Sequence, residues 1–276
     1  MRSVLITGCS SGIGEATAAR LVKAGWTVHA TARRPETLED LAAAGCHVHA
    51  LDVTSEDSMQ SAVDAILGDA GRIDALVNNA GYSLSGAVET LDLDDVRKEF
   101  ETNVFGLVRL SQMVLPGMRA HGRGRIVNIS SMGGRLTFPG AGAYHASKYA
   151  VEAFSDALRF EVKGFGVDVV LVEPGLITTN FEQAATATMK TDDDSPYAGF
   201  NAAVRTATQE AYRGPLVRLG GGPDAVAKVI EKALDAKNPR PRYLVTPSAG
   251  LSITGRRLLG DRGWDLAMRA QFPQPE

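Results

Sequence analysis

Two hydrophobic periods alternate along this chain. Short runs rich in aliphatic and β-branched residues occur at 3–7 ("SVLIT"), 27–32 ("TVHATA"), 48–53 ("VHALDV"), 74–79 ("DALVNN"), 124–130 ("GRIVNIS") and 167–175 ("VDVVLVEPG"). They read as strands. Between them lie longer stretches whose apolar residues recur at helical spacing: "GEATAARLVKAG", "ETLEDLAAAG", a Ser-led segment through "MQSAVDAIL", a long helix from about Leu93 to Met118, and "YHASKYAVEAFSDALRFEVKGFG". This rhythm predicts successive βαβ units on a parallel sheet, with "RYLVT" at 242–246 as a candidate seventh strand. Runs such as "VDVVLVEPG" are apolar toward both faces, as strands are when helices cover the sheet on both sides. The expected fold class is α/β, doubly wound, with about seven parallel strands.

One segment departs from the rhythm. Residues 176–222 are rich in small and polar side chains and end in Gly220-Gly221-Gly222-Pro223, ahead of a helical "DAVAKVIEKAL". An irregular stretch of this length inside a compact domain reads as a binding loop or lid. The final segment, 248–276, mixes apolar and basic residues and is expected to pack on the domain or on a neighbouring subunit. A chain of 276 residues is expected to form a single domain, 1–276.

Composition narrows the function classes. The formal charge of −3, from 29 basic and 32 acidic residues, lacks the excess that nucleic acid or an anionic membrane requires, and favours a small molecule as partner. No 18-residue apolar stretch occurs, so no membrane span is expected, and "MRSVLITG" begins a strand where a signal peptide would stand. Cys9 and Cys46 lie far apart in no metal or disulfide pattern, which points to a reducing cytoplasm. His47 and His49 share one strand face without a third ligand, so no metal is expected.

The first strand runs into Thr7-Gly8-Cys9-Ser10-Ser11-Gly12-Ile13-Gly14 at the start of a helix. Glycines at such a junction let the backbone turn tightly and approach a pyrophosphate, whose charge the helix N-terminus receives. The second strand ends in Ala32-Arg33-Arg34, where an NAD site would carry an acid for the ribose hydroxyls. A guanidinium there can grip a 2′-phosphate, so NADP(H) is expected over NAD(H).

Further along, "NNAG" at 78–81, Asn103 in "TNVFG", "VNISS" at 127–131, "YHASK" at 144–148 and "EPG" at 173–175 follow in order. With "TGCSSGIG" these strings resemble the short-chain dehydrogenase/reductase family over about residues 1–235, including its steroid- and retinol-type members. The resemblance implies a doubly wound Rossmann fold and an oxidoreductase interconverting a ketone or aldehyde and an alcohol. It implies Tyr144 as proton donor and acceptor, Lys148 as its activator, Ser131 as the hydroxyl orienting the carbonyl, and Asn103 as holder of a water relay behind the lysine. Ser131 is preferred to Ser130 by its interval to Tyr144. It also implies a cofactor surface of Gly8, Ser10, Ser11, Gly12, Ile13, Gly14, Arg33, Asp52, Val53, Asn78, Asn79, Ala80, Gly81, Tyr144, Lys148, Pro174, Gly175 and Thr178.

The chemistry accounts for the residue types. Lowering a tyrosine by about two pKa units takes roughly 2.7 kcal/mol of phenolate stabilisation. An ammonium about 5 Å away, at an effective dielectric of about 20, offers roughly 3 kcal/mol. Tyr144 and Lys148, four positions apart, share one helix face. Leu136, Phe138, Pro139, Tyr82, Leu84 and the 176–215 stretch are expected to wall an apolar substrate. Surplus apolar residues between Val96 and Leu110 suggest a homodimer or homotetramer. Two other readings are a sugar-nucleotide epimerase or dehydratase of the extended branch, disfavoured by the spacing of Gly8, Gly12 and Gly14, and a non-catalytic NADP(H)-binding regulator, disfavoured by the presence of both Tyr144 and Lys148.

Overall fold

The computed structural model describes residues 2–179, 189, 194–213 and 218–275. Among them, seven strands form one parallel sheet: β1 (Ser3–Ile6), β2 (Thr27–Ala32), β3 (His47–Ala50), β4 (Ala75–Asn78), β5 (Gly124–Ile129), β6 (Val167–Glu173) and β7 (Arg242–Leu244), in spatial order β3-β2-β1-β4-β5-β6-β7. Nine helices accompany them: α1 (Gly12–Lys23), α2 (Glu39–Ala43), α3 (Glu56–Ala70), α4 (Leu93–Phe100), α5 (Gly106–Ala120), α6 (Gly142–Val162), α7 (Ala198–Arg213), α8 (Pro223–Asp235) and α9 (Pro247–Arg269).

Strand alternation sorts the core into two layers. Val4 and Ile6 of β1 pack with Ala18 and Leu21 of α1 and with Val226 and Ile230 of α8. Leu5, between them, faces the other way, toward Met59 and Ile66 of α3 and Leu110 and Val114 of α5. This is the doubly wound layout that the two-faced apolar strands predict. The order reverses at β1: the chain winds outward through β2 and β3, then returns to build β4 on the opposite side. The crevice between the carboxyl ends of β1 and β4 is where such a sheet binds ligands.

Three elements differ from the sequence expectation. The third strand ends at Ala50, so Asp52 and Val53 lie in the turn leading to α3, whose first N–H groups are capped by Ser55 Oγ accepting from Ser58 N at 3.3 Å. The helix expected from Leu93 to Met118 is interrupted: Glu101–Phe105 winds as a π turn between α4 and α5. Its extra residue per turn offsets the faces of the two helices, and Asn103 sits on it. Within the segment expected to be irregular, residues 198–213 form α7. The rest of 176–222 is described at 176–179, 189, 194–197 and 218–222, and most of "TMKTDDDSP" lies outside the described residues.

The C-terminal segment seats on the sheet's carboxyl end. Ser248, Ala249 and Ile253 of α9 are buried, and the helix bends at Gly260, whose φ is +61°. Among the described residues no helix is long and apolar enough to cross a membrane.

Candidate active site

The glycine loop is held by contacts that a side chain would break. A Cβ on Gly14 would lie 2.2 Å from the Gly8 carbonyl oxygen, and one on Gly8, whose φ is +71°, would lie 2.9 Å from Ala80 Cα. β4 locks the loop from beside it. Asn79 Nδ2 donates to the carbonyls of Thr7 and Gly8 at 2.9 and 3.0 Å, while Thr7 Oγ1 accepts from the N–H groups of Asn79 and Ala80 at 3.0 Å each. Ser11 is the N-cap of α1, with no side-chain cap bond, so Ser10, Ser11 and Ile13 present this helix start to the crevice. Cys9 is buried, which pushes its thiol up to about 12 and keeps it unreactive.

Arg33 and Arg34 are both exposed just past the carboxyl end of β2, with neither guanidinium in an ion pair among the described residues. Asp52 Oδ1 accepts from the Thr54 N–H at 2.9 Å and the Thr54 hydroxyl at 2.8 Å, which fixes the turn after β3. The Val53 carbonyl abuts Gly106, where a Cβ would lie 2.3 Å from it. On the far side of the crevice, Pro174 accepts from Met132 N at 2.8 Å, and the Gly175 backbone packs so closely on Thr246 and Ser248 that a Cβ would lie 2.3 Å from Thr246 Oγ1. Thr178 N donates to the Gly221 carbonyl at 2.9 Å, leaving the exposed Thr178 side chain at the mouth.

Asn78 is a correction. Expected on the cofactor side with Asn79, it instead donates from Nδ2 to Asn128 Oδ1 at 2.9 Å and Ser111 Oγ at 3.1 Å, buried beneath α5. Adjacent strand residues face opposite ways, so only Asn79, past the end of β4, reaches the loop.

At the carboxyl end of β5, Ser131 caps a short 3₁₀ turn by accepting from Gly133 N at 3.0 Å, and its hydroxyl is hydrogen-bonded to that of Tyr144. Lys148, one turn along α6, lies with Nζ 5.8 Å from the Tyr144 ring centroid and donates to the Ile129 carbonyl at 2.9 Å. Asn103 Nδ2 donates to the Tyr82 carbonyl at 2.8 Å and to Ser147 Oγ at 3.0 Å, and Oδ1 accepts from Tyr82 N at 3.0 Å. This side chain clasps the segment after β4 to α6. Gly81 lies against it, where a Cβ would come 2.9 Å from Asn103 Oδ1.

The electrostatics reverse one expectation. The Tyr144 phenol is raised, not lowered: burial dominates, and the Ser131 hydrogen bond works against it. Burial also pushes Lys148 down to about 8, opposed by Glu99 and Glu152. The ammonium bonds a carbonyl rather than the phenol, so in the protein alone it does not outweigh the lost hydration of a phenolate.

The family profile described as short chain dehydrogenase matches residues 2–190. The chain belongs to that family. It is 36% identical over 265 residues to an uncharacterised oxidoreductase, YbbO, of Escherichia coli K12, covering 96% of this chain and 93% of that one. It is 38% identical over 245 residues to 3-ketodihydrosphingosine reductase of Bacteroides thetaiotaomicron, covering 88% and 87%. A short-chain dehydrogenase structure from Streptomyces avermitilis superposes with a TM-score of 0.81 at 37% identity, covering 97% of each chain. Of two further solved neighbours, a serine dehydrogenase holds NADP+ (28% identity, TM-score 0.78, covering 89% of this chain and 94% of that one) and a xylitol dehydrogenase holds NAD+ (26%, 0.77, 89% and 98%). The crevice of this short chain dehydrogenase fits a nicotinamide dinucleotide: the Gly8–Gly14 cradle admits a close backbone approach, and Arg33 and Arg34, exposed just past β2, make no ion pair among the described residues.

Several residues around the site carry no local sequence signal. His145, inside "YHASK", donates through Nδ1 to Gly133 O at 2.9 Å and accepts at Nε2 from Phe138 N at 3.1 Å. Trp264 of α9 donates to the Thr137 carbonyl at 3.0 Å and packs against Phe138 in a tilted arrangement, with centroids 5.7 Å apart and ring planes at 49°. Tyr212 of α7 acts electrostatically on Tyr144. Leu84 and Leu136, expected to wall the substrate, are buried within the protein itself. Tyr82, Phe138 and Pro139 stay partly exposed.

Proposed function

We propose that this short chain dehydrogenase is an NADP(H)-dependent oxidoreductase that interconverts a ketone or aldehyde and an alcohol on an apolar substrate, with Tyr144 as acid and base. The observation that carries this reading is the Ser131–Tyr144 hydroxyl pair, with Lys148 on the same helix, at the mouth of a crevice fitted for a dinucleotide.

When bound, the nicotinamide supplies the hydride and, in its oxidised form, a positive charge. The protein handles the rest. The Gly8, Ser10, Ser11, Gly12, Ile13 and Gly14 loop would hold the pyrophosphate, and Arg33 the 2′-phosphate. Asp52 and Val53 would face the adenine, Asn79, Ala80 and Gly81 the middle of the cofactor, Lys148 the nicotinamide ribose, and Pro174, Gly175 and Thr178 the nicotinamide. Ser131 would fix the substrate oxygen, and the Tyr144 O–H would donate to it on reduction and take the proton back on oxidation. A phenol that burial keeps protonated is suited to the donating direction. Asn103 holds Tyr82 and Ser147 around Lys148, the position from which a water relay would leave the site.

An apolar substrate agrees with the partly exposed rings of Tyr82, Phe138 and Trp264 around the mouth and with the relative named as a 3-ketodihydrosphingosine reductase. Two buried free thiols, Cys9 and Cys46, accord with a reducing cytoplasm. The exposed aromatic residues Phe105, in the π turn between α4 and α5, and Phe154 and Phe160 of α6 support a homodimer or homotetramer.

NADPH absorbance followed against a panel of ketones, aldehydes and alcohols tests the reading, with Tyr144→Phe as control. The substitution is expected to lower turnover by about 100-fold or more, with an unchanged unfolding temperature. Equal rates on a good substrate would remove Tyr144 from the reaction.

A further inference from the structure

Glu99, in the last turn of α4, is fully buried, at 0% exposure. Its Oε1 accepts from Leu84 N at 3.0 Å and from Asn103 Nδ2 at 3.5 Å. Its Oε2 is buried with no hydrogen-bond partner among the described residues. An interior carboxylate with an unpaired oxygen is costly unless an opposite charge faces it. The charge of Glu99 acts on Lys148 and Tyr144 of α6 and on Tyr82 on the segment after β4, and Gly81 lies between the Asn103 and Lys148 side chains, where a Cβ would come 2.9 Å from Asn103 Oδ1 and 3.7 Å from Lys148 Nζ. The other carboxylate acting on Lys148 is Glu152, one turn further along α6.

We propose that Glu99 is a positioning residue for proton transfer: its buried carboxylate is the counter-ion that keeps Lys148 charged, while its acceptor contacts hold Asn103 and the Leu84 segment against α6. The inference rests on Tyr144 and Lys148 acting as proposed above. Burial pushes Glu99 up to about 7 and Lys148 down to about 8, so near neutrality each group's charge sustains the other. Glu99 raises both Lys148 and Tyr144. Loss of its charge therefore moves both ionisations to lower pH.

Glu99→Gln keeps the Oε1 acceptor and the side-chain shape but not the charge. The test is an NMR titration of isotopically labelled lysine side chains in nucleotide-free protein, with the Lys148 resonance assigned through Lys148→Arg. In Glu99→Gln, Lys148 is expected to titrate about one pH unit lower than in wild type, and the pH–rate profile to move the same way with KM little changed. Glu99→Asp, which retains a carboxylate, is expected to move less. An unmoved Lys148 titration overturns the inference. If Glu99→Gln does not fold, wild type decides: coupled to Glu99, the Lys148 resonance should show a second inflection near pH 7, and a single inflection overturns the inference as well. Full activity in Tyr144→Phe would instead remove the proposed function, so the two failures are read on different variants.

Discussion

The His145 ring joins α6 to the Gly133 carbonyl by a 2.9 Å hydrogen bond from Nδ1, and its Nε2 takes the Phe138 N–H at 3.1 Å. A carbonyl only accepts and an amide N–H only donates, so the ring is neutral with its proton on Nδ1. One side chain thus fixes both ends of the segment between Ser131 and the substrate mouth. His145→Leu leaves both backbone groups unpaired and is expected to cost about 1–3 kcal/mol in urea unfolding. It is also expected to lower kcat/KM by about tenfold as Ser131 and Phe138 lose their placement. Wild-type stability in the variant would show that the ring does not brace this loop.

Two buried histidines should cost stability as pH falls. His29 and His145 are buried, and each is pushed down to about 4 from a usual value of 6.5, first by burial; for His29, His49 and His47 add to the effect. A histidine with a depressed folded pKa binds its proton more tightly when unfolded. Its stabilising contribution is whole above pH 6.5 and is lost progressively as pH falls toward 4. The full loss is roughly 3 kcal/mol for each ring. Glu99 and Glu173, raised to about 7 by burial, gain stability over the same window, so the decline is expected as the pH-dependent difference in urea unfolding between wild type and His29→Gln or His145→Gln. A difference that stays constant over that window would contradict the neutral burial of the ring replaced.

Gly14→Ala is expected to abolish nucleotide binding measured by calorimetry and to lower the unfolding temperature. The new Cβ would stand 2.2 Å from a backbone carbonyl that has no freedom to retreat. Gly68→Ala in α3 is the control, since nothing lies within 4 Å of its Cβ position. There the substitution is expected to stabilise by about 0.5–1 kcal/mol. Equal nucleotide affinity in Gly14→Ala and wild type would remove the loop from the binding site.

Arg33→Ala is expected to reduce the ratio of NADPH to NADH affinity by about tenfold or more, through loss of a bidentate phosphate contact. Titrating both nucleotides into wild type and variant measures this. An unchanged ratio would dismiss Arg33 as the 2′-phosphate ligand.

Phe105, Phe154 and Phe160 are 50%, 46% and 88% exposed, an apolar surface that water does not favour. Light scattering is expected to give a multiple of the 29.2 kDa chain mass, and Phe105→Lys with Phe154→Lys to shift it toward the single chain. A wild-type mass near 29.2 kDa would contradict the oligomer.

Much of the site was readable from adjacent residues. Gly8, Gly12 and Gly14 at a strand-to-helix turn, Arg33 at the end of β2, and Tyr144 with Lys148 one turn apart all express short-range geometry, and the structure packs Gly8 against Ala80 and sets the Lys148 ammonium 5.8 Å from the Tyr144 ring centroid. Asn78 and Asn79 show where such reading stops. The pair is contiguous, yet one side chain enters the interior beneath α5 and the other locks the glycine loop, because strand pleating sends them apart. Leu84 and Leu136 went into the core for a related reason: apolarity marks a residue for burial without saying whether ligand or protein will cover it.

Hydrophobic periodicity was enough to specify the parallel sheet and its helical layers, because strand alternation and helical spacing are properties of neighbouring residues, while the motif strings from "TGCSSGIG" to "EPG" carried the resemblance to the family. The ionisation of Tyr144, the placement of Glu99 behind Asn103, the π turn that carries Asn103, and the seating of Trp264 on Phe138 were settled only by the assembled fold. Each depends on atoms brought together from distant parts of the chain, and the energy of a buried charge is set by everything that surrounds it.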